Sequence, residues 1–136
     1  MAGDVSRFGG VILWTEATRF QEVRRFYVDV LGLRPRSDRD GLVNFEWGDV
    51  RLTVSVHDRV HGPAADPLRV MVNFVVDDLE AAHRRMTAAG VPCLRVPEPE
   101  HWGGRVATYT DPDGNVVQLL EMPGRQPAGS PPCPPT

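Results

Sequence analysis

The chain has 136 residues, 41% of them hydrophobic, which suffices for about one domain with its own core. Its net charge of −3 at pH 7, without any strongly basic stretch, argues against a nucleic-acid partner. All 15 basic residues are arginines, which excludes Schiff-base chemistry, covalently attached pyridoxal phosphate and a P-loop lysine.

Cysteine usage and hydropathy indicate the expected compartment. Cys93 and Cys133 are too few and too far apart for a disulfide framework or a thiolate zinc site. The longest uninterrupted apolar stretches span only a few residues, so neither a signal peptide nor a membrane partner is expected. We therefore expect a cytoplasmic protein.

The N-terminal half begins with a polar leader, residues 1–9, followed by a strand at residues 10–16. Thr18 and Gln21 have the spacing of a capping box, which predicts a helix start at Thr18. Apolar residues then recur every three or four positions, which gives the predicted helix one apolar face; they are Phe20, Val23, Phe26, Tyr27, Val30 and Leu31. The helix should end at Gly32, because glycine accepts the positive φ of a helix C-terminus.

Three short strands are predicted next, at residues 33–37, 42–47 and 50–56, with turn signals at Asp40-Gly41 and Gly48-Asp49. These strands complete a first module, residues 10–56. A stretch rich in glycine, proline and aspartate, residues 57–68, is the predicted linker.

The second half repeats this order of elements, in a module predicted at residues 69–122. A strand is predicted at residues 70–76, and Asp77 or Asp78 is the expected N-cap of the following helix. The helix has the apolar stripe Leu79, Ala82, His83, Met86 and Ala89, and it ends at Gly90. Thr18 and Asp77 are 59 residues apart and Gly32 and Gly90 are 58 apart, which indicates an internal duplication of a βαβββ module.

The end of the second module contains the strongest turn signal, Asp111-Pro112-Asp113-Gly114. Strands are predicted on both sides of it, at residues 105–110 and 115–121, after a short strand at residues 94–96. Proline, glycine and small polar residues dominate residues 123–136, which predicts a disordered tail.

Three segments, Phe26–Leu33, Val76–Leu79 and Asp111–Asn115, together resemble the vicinal oxygen chelate superfamily. That superfamily contains glyoxalase I, bleomycin resistance proteins and extradiol dioxygenases. The resemblance spans residues 10–122 and implies an α+β fold, in which two βαβββ modules form an eight-stranded open barrel-like sheet with the helices outside. It also implies a homodimer that completes a concave site.

The resemblance implies metal-ligand positions as well, one on each of four strands, which match Ile12, Thr53, Met71 and Gln118. Isoleucine has no donor atom, and a methionine thioether is too soft for a hard or borderline divalent ion. We therefore expect no metal and no other cofactor. The four histidines, His57, His61, His83 and His101, are expected to be solvated or packing residues rather than replacement ligands.

The same strand positions predict a site of a different kind. Strand alternation places Trp14 and Glu16 on the face of Ile12, and Asn73 on the face of Met71. The expected ligand-binding residues are Ile12, Trp14, Glu16, Thr53, Met71, Asn73, Trp102 and Gln118. An apolar, aromatic lining with a few amides suits a hydrophobic or aromatic small molecule.

Two functions remain open at this point. The segment His101–Arg105 is similar to the Trp-Gly-Arg segment of the metal-free bleomycin resistance branch, which implies drug sequestration in grooves at a dimer interface. That function would be antibiotic resistance or self-protection without catalysis. The alternative is a glyoxalase-like lyase or isomerase with an atypical or metal-free site, in which Glu16 or His101 carries the proton.

Overall fold

The computed structural model describes residues 3–124. These residues belong to two compact units, which meet in the sequence between Pro63 and Ala64. Each unit contains a four-stranded sheet and a helical segment, so the predicted α+β class with two βαβββ modules is confirmed. Most of the predicted tail, from residue 125 onward, lies outside the described residues.

The N-terminal unit has the strand order β1-β4-β3-β2. Strands β1 and β4 are parallel, and the other two pairs are antiparallel. The elements are β1 (Gly10–Thr15), α1 (Phe20–Arg25), β2 (Ser37–Arg39), β3 (Leu42–Trp47) and β4 (Val50–Val56).

The C-terminal unit has the equivalent order β5-β8-β7-β6, again with one parallel pair, β5 and β8. Its elements are β5 (Met71–Val75), α2 (Leu79–Ala88), β6 (Cys93–Pro99), β7 (Arg105–Thr110) and β8 (Val116–Glu121). The identical connectivity supports the duplication inferred from the sequence. No helix within residues 3–124 is long and apolar enough to cross a membrane.

Each sheet buries one face, where alternate strand residues and the apolar stripe of the helix form the core. In the N-terminal unit Phe45 lies 6.5 Å from Tyr27, measured between ring centroids, and both side chains are buried. In the C-terminal unit Leu79 and Met86 of α2 and Leu119 of β8 are fully buried. Burial of each such side chain contributes roughly 1.5–3 kcal/mol. The opposite face is exposed along β1 and β5, where Ile12 and Met71 lie, whereas Thr108 and Val116 on that face of the C-terminal sheet are buried as well.

The start of the first helix differs from the sequence prediction. A single 3-10 turn, Ala17–Arg19, precedes α1, and neither segment has a side-chain cap. The Thr18 hydroxyl donates instead to Oε2 of Glu16, at 3.2 Å. The predicted capping box at Thr18 and Gln21 is therefore wrong, because the threonine hydroxyl is used by a carboxylate rather than by the helix. After Arg25 the helix widens into a π-turn, Phe26–Val30.

The second strand also differs from the prediction. The Asp40-Gly41 turn joins β2 and β3 with Arg39 opposite Leu42, and this register places β2 at Ser37–Arg39 rather than at residues 33–37. Gly41 has a φ of 78°, which an L side chain rarely adopts. A tight hairpin turn thus decides where pairing begins. Strand β6 is longer than predicted, Cys93–Pro99, and contains two irregularities in its pairing with β7.

The cap of α2 and the Asp111 turn follow the sequence. Asp78 caps α2 by accepting a hydrogen bond from the amide of Ala81 at 3.1 Å. Oδ1 of Asp111 accepts from the amides of Asp113 and Asn115, both at 2.9 Å. Asp111 is 3% exposed, so these bonds form away from water. The turn is therefore held by a buried carboxylate.

Candidate functional site

The open face of the N-terminal sheet has a row of side chains opposite one another. Ile12 of β1 pairs with Thr53 of β4, and Thr53 pairs with Asn44 of β3. Their neighbours Leu13, Val54 and Val43 alternate to the core face. Ile12 is 51% exposed, so this face presents a large apolar side chain to solvent.

Trp14 lies one step further along β1 on the same open face and is 44% exposed. The His57 ring meets it edge-on, with ring centroids 5.0 Å apart and an interplanar angle of 81°. Nδ1 of His57 accepts a hydrogen bond from the amide of Arg59 at 3.1 Å, which orients the imidazole. His57 is therefore a packing residue, which is one of the two roles expected for the histidines, because the chain after β4 turns back beside Trp14.

Glu16 follows β1 and is half-buried. Its Oε1 accepts from the Gly62 amide at 2.8 Å, and its Oε2 accepts from Thr18. The backbone hydrogen bond from Gly62 is the main cause that lowers the pKa of Glu16, and the nearby His61 adds to it. Both carboxylate oxygens therefore have structural donors.

The open face of the C-terminal sheet contains an amide pair, Asn73 and Gln118. The two residues are direct register partners on the parallel strands β5 and β8, and Gln118 Nε2 donates to Asn73 Oδ1 at 3.0 Å. Gln118 is half-buried and Asn73 exposed. The sequence placed Met71 with Gln118 among the four metal-ligand positions. The two residues are not register partners, because Met71 lies opposite Val116.

The polar row continues across the C-terminal sheet. Thr108 of β7 is the register partner of Gln118, and Arg95 of β6 is the partner of Thr108. The Arg95 guanidinium binds Glu98 at 2.6 Å and Glu100 at 2.8 Å. These carboxylates raise the pKa of Arg95. Thr108 and Arg95 were not identified from the sequence, since only the pairing of β6 with β7 and β8 reveals them.

Trp102 lies in the loop before β7 and is 41% exposed. Its indole packs against the backbone of Gly104, where an added Cβ would come within 2.1 Å of the ring. Only glycine leaves room for this contact. His101 is exposed beside it. The loop thus presents one side of the indole and keeps the other against the chain.

The donor atoms at the four matched positions do not fit a divalent metal. Ile12 supplies none, Met71 supplies a thioether, and Thr53 supplies a neutral hydroxyl, which leaves Gln118 as one amide ligand. Within residues 3–124, no three side chains among His, Cys, Asp and Glu are grouped closely enough to hold a metal ion.

Comparison with known proteins identifies the family. The family model of the Glyoxalase/Bleomycin resistance protein/Dioxygenase superfamily matches residues 17–119. The chain belongs to this superfamily. The resemblance inferred from Phe26–Leu33, Val76–Leu79 and Asp111–Asn115 is therefore confirmed.

One curated relative in the superfamily is a "Bleomycin resistance protein" from Klebsiella pneumoniae, 30% identical over 90 residues, which cover 60% of this chain and 68% of the relative. Among solved structures, a glyoxalase/dioxygenase from Nostoc punctiforme superposes with a TM-score of 0.73 at 18% identity, over 90% of this chain and 95% of that one. A lactoylglutathione lyase from Agrobacterium tumefaciens gives 0.64 at 22% identity, over 86% and 94% of the two chains. At these identities the two structures support the fold alone.

Proposed function

We propose that this protein is a metal-independent member of the superfamily that binds a hydrophobic or aromatic small molecule, and that it protects against an antibiotic by sequestering it. The proposal includes a homodimer as the binding unit and the cytoplasm as the site of action. It extends to this chain what the name of the Klebsiella pneumoniae relative says of that protein.

The observation that carries the proposal is the exposed apolar surface at the positions matched to metal ligands. Ile12 is 51% exposed and Met71 is 39% exposed, on the open faces of their respective sheets. Exposed large apolar side chains at the strand positions of a binding face favour an apolar ligand. The same side chains cannot coordinate a divalent ion, so the chemistry offered is contact rather than Lewis-acid catalysis.

Aromatic side chains support the same function in each unit. Trp14 presents an exposed indole next to the His57 ring, and Trp102 presents an indole whose other side packs on Gly104. An indole fixed by a neighbour loses little conformational freedom when a ring stacks on it. Both residues are therefore suited to bind planar ligands.

The test is a titration of intrinsic tryptophan fluorescence with bleomycin and with uncharged polycyclic aromatics. We expect saturable quenching with dissociation constants in the micromolar range or tighter, unchanged by chelator. Sedimentation in the same samples measures the oligomeric state. Absence of saturable binding, together with turnover of a glyoxalase-type substrate either with or without added divalent metal, would establish the enzyme alternative instead.

A further inference from the structure

The amide pair, Asn73 and Gln118, satisfies only part of its own hydrogen-bonding capacity. The bond from Gln118 Nε2 to Asn73 Oδ1 leaves Gln118 Oε1 as an acceptor and Asn73 Nδ2 as a donor. Turning both amides over exchanges these roles, but it still leaves one donor and one acceptor. The pair therefore presents a donor next to an acceptor in either orientation.

Apolar side chains enclose the amide pair along both strands. On one side Met71 lies opposite Val116, and on the other Val75 lies opposite Leu120. All four share the face of the amide pair, because strand residues two apart point the same way. The amide pair thus lies between two apolar rows. Met71 and Val75 are 39% and 58% exposed, whereas Val116 is 1% exposed, so the apolar surface offered to a ligand lies mainly along β5.

We propose that the amide pair selects ligands with a primary carboxamide or a lactam on an apolar body. The ligand carbonyl would accept from Asn73 Nδ2, and the ligand N–H would donate to Gln118 Oε1. The flanking apolar rows would contact the ligand body. This inference rests on the proposed binding function, and it adds the chemical class of the ligand.

A carboxamide is favoured over a carboxylate or a ketone because it can pair with both the donor and the acceptor of the amide pair. A carboxylate has no donor for Gln118 Oε1 and would place two acceptors together, while a ketone leaves that oxygen unpaired against the apolar rows. An unpaired polar group at a ligand interface is a strong source of discrimination. Arg95 lies at the far end of the polar row, two strands from Gln118. Its guanidinium already pairs with Glu98 and Glu100, so it does not favour a carboxylate ligand.

The inference is tested with three probes of nearly equal shape: 2-naphthamide, 2-acetonaphthone and 2-naphthamidine. The first has one donor group and one acceptor, the second only the acceptor, and the third only donors. We expect the wild-type protein to bind the amide roughly five- to tenfold tighter than the ketone, the scale of one hydrogen bond. Gln118→Met should bring that ratio to about one, because methionine keeps the volume and removes the polar atoms.

Gln118→Glu provides a second and opposite test. A carboxylate at this position accepts from Asn73 and presents only acceptors to the ligand, so the preference should move from the amide to the amidine by about tenfold or more. Gln21→Glu adds the same charge at an exposed position of α1 and should leave the preference unchanged. Asn73→Leu serves as the second variant if Gln118→Met fails to fold, which circular dichroism detects.

Two results contradict the inference in different ways. Equal wild-type affinity for the amide and the ketone, or a ratio unaffected by Gln118→Met and Asn73→Leu, overturns the ligand class while leaving aromatic binding intact. Binding of the three naphthyl probes is measured by protein-observed NMR. If none of them binds at millimolar concentration, the proposed function and this inference are overturned together.

Discussion

Oε1 of Glu16 accepts a hydrogen bond from the backbone amide of Gly62 at 2.8 Å, across 46 positions of sequence. The bond ties the end of β1 to the chain that follows β4. With the Thr18 hydroxyl it lowers the pKa of Glu16, since both donors stabilise the ionised carboxylate. A general base needs a pKa raised toward neutrality, so Glu16 is better explained as an anchor for this loop than as a proton carrier.

The first prediction follows from that hydrogen bond. The proton shift of the Gly62 amide in NMR spectra should titrate with a midpoint below 4.5, the ordinary pKa of a glutamate. Because the folded-state pKa is lowered, the bond stabilises the fold above the unfolded pKa, and this stabilisation is lost as the pH falls through the folded pKa. Glu16→Gln should abolish the titration. A midpoint above 4.5 would show that burial outweighs the hydrogen bonds.

A second prediction concerns metal content. Purified protein should contain no stoichiometric Ni, Zn, Fe or Mn, and chelator should leave its melting temperature unchanged, because Ile12 and Met71 are not ligands for these ions. Elemental analysis and a thermal melt measure both. Ile12→His with Thr53→His serves as the positive control, since these two residues are register partners on β1 and β4, and two imidazoles on neighbouring strands would raise the affinity for zinc. One tightly bound ion per wild-type chain contradicts the prediction.

The strands were largely predictable from the sequence, because alternation and turn residues are local signals. The predicted bounds at residues 42–47, 50–56 and 105–110 are those of β3, β4 and β7. The end of the first helix at Gly32, where φ is 74°, was predictable for the same reason. The sequence therefore predicted those element bounds that depend on neighbouring residues alone.

Contacts within the candidate site were less predictable. The register between β5 and β8 is set by packing of segments more than 40 residues apart, and nothing local indicates that Gln118 lies opposite Asn73 rather than Met71. The contact of His57 with Trp14 likewise depends on how the chain returns after β4. Such relationships come from tertiary structure, which periodicity does not describe.

A third prediction concerns the buried phenol of Tyr109. Its hydroxyl lies 2.7 Å from Nδ1 of His83, and burial raises its pKa to about 12 from the ordinary value of 10.0. The neutral phenol stabilises the fold fully below pH 10, and this advantage is lost as the pH rises toward 12. The difference in ultraviolet titration between wild type and Tyr109→Phe should show this late ionisation. Tyr109→Phe should also lower the free energy of unfolding by about 1 kcal/mol at pH 7.

A fourth prediction concerns the turn before β8. Asp111→Ala should lower the free energy of unfolding by about 3 kcal/mol in urea denaturation, because it leaves the amides of Asp113 and Asn115 without their acceptor. Asp49→Ala, in the turn between β3 and β4, is the matched control. Its carboxylate is 72% exposed and pairs with an equally exposed Arg7, so the change should stay within about 0.5 kcal/mol. Equal effects of the two substitutions would contradict the role assigned to Asp111.

The last prediction concerns which tryptophans bind the ligand. Trp14 lies on the open face of the N-terminal sheet, whereas Trp47 belongs by strand alternation to the face of Val43 and Phe45 and is 48% exposed at the strand end. The two indoles are thus similarly exposed but on opposite faces of one sheet. Trp14→Ala should weaken binding of an uncharged polycyclic aromatic by about 1–3 kcal/mol, and so should Trp102→Ala. Trp47→Ala should leave the affinity nearly unchanged.

The similar exposure makes Trp47 a demanding control for that prediction. A ligand attracted to any exposed indole would lose affinity in all three variants, because surface stacking does not depend on the face of the sheet. A ligand bound on the open face loses affinity in Trp14→Ala but not in Trp47→Ala. Equal losses at Trp14 and Trp47, with circular dichroism spectra like that of the wild type, would therefore place the binding surface elsewhere than the face that contains Ile12 and Thr53.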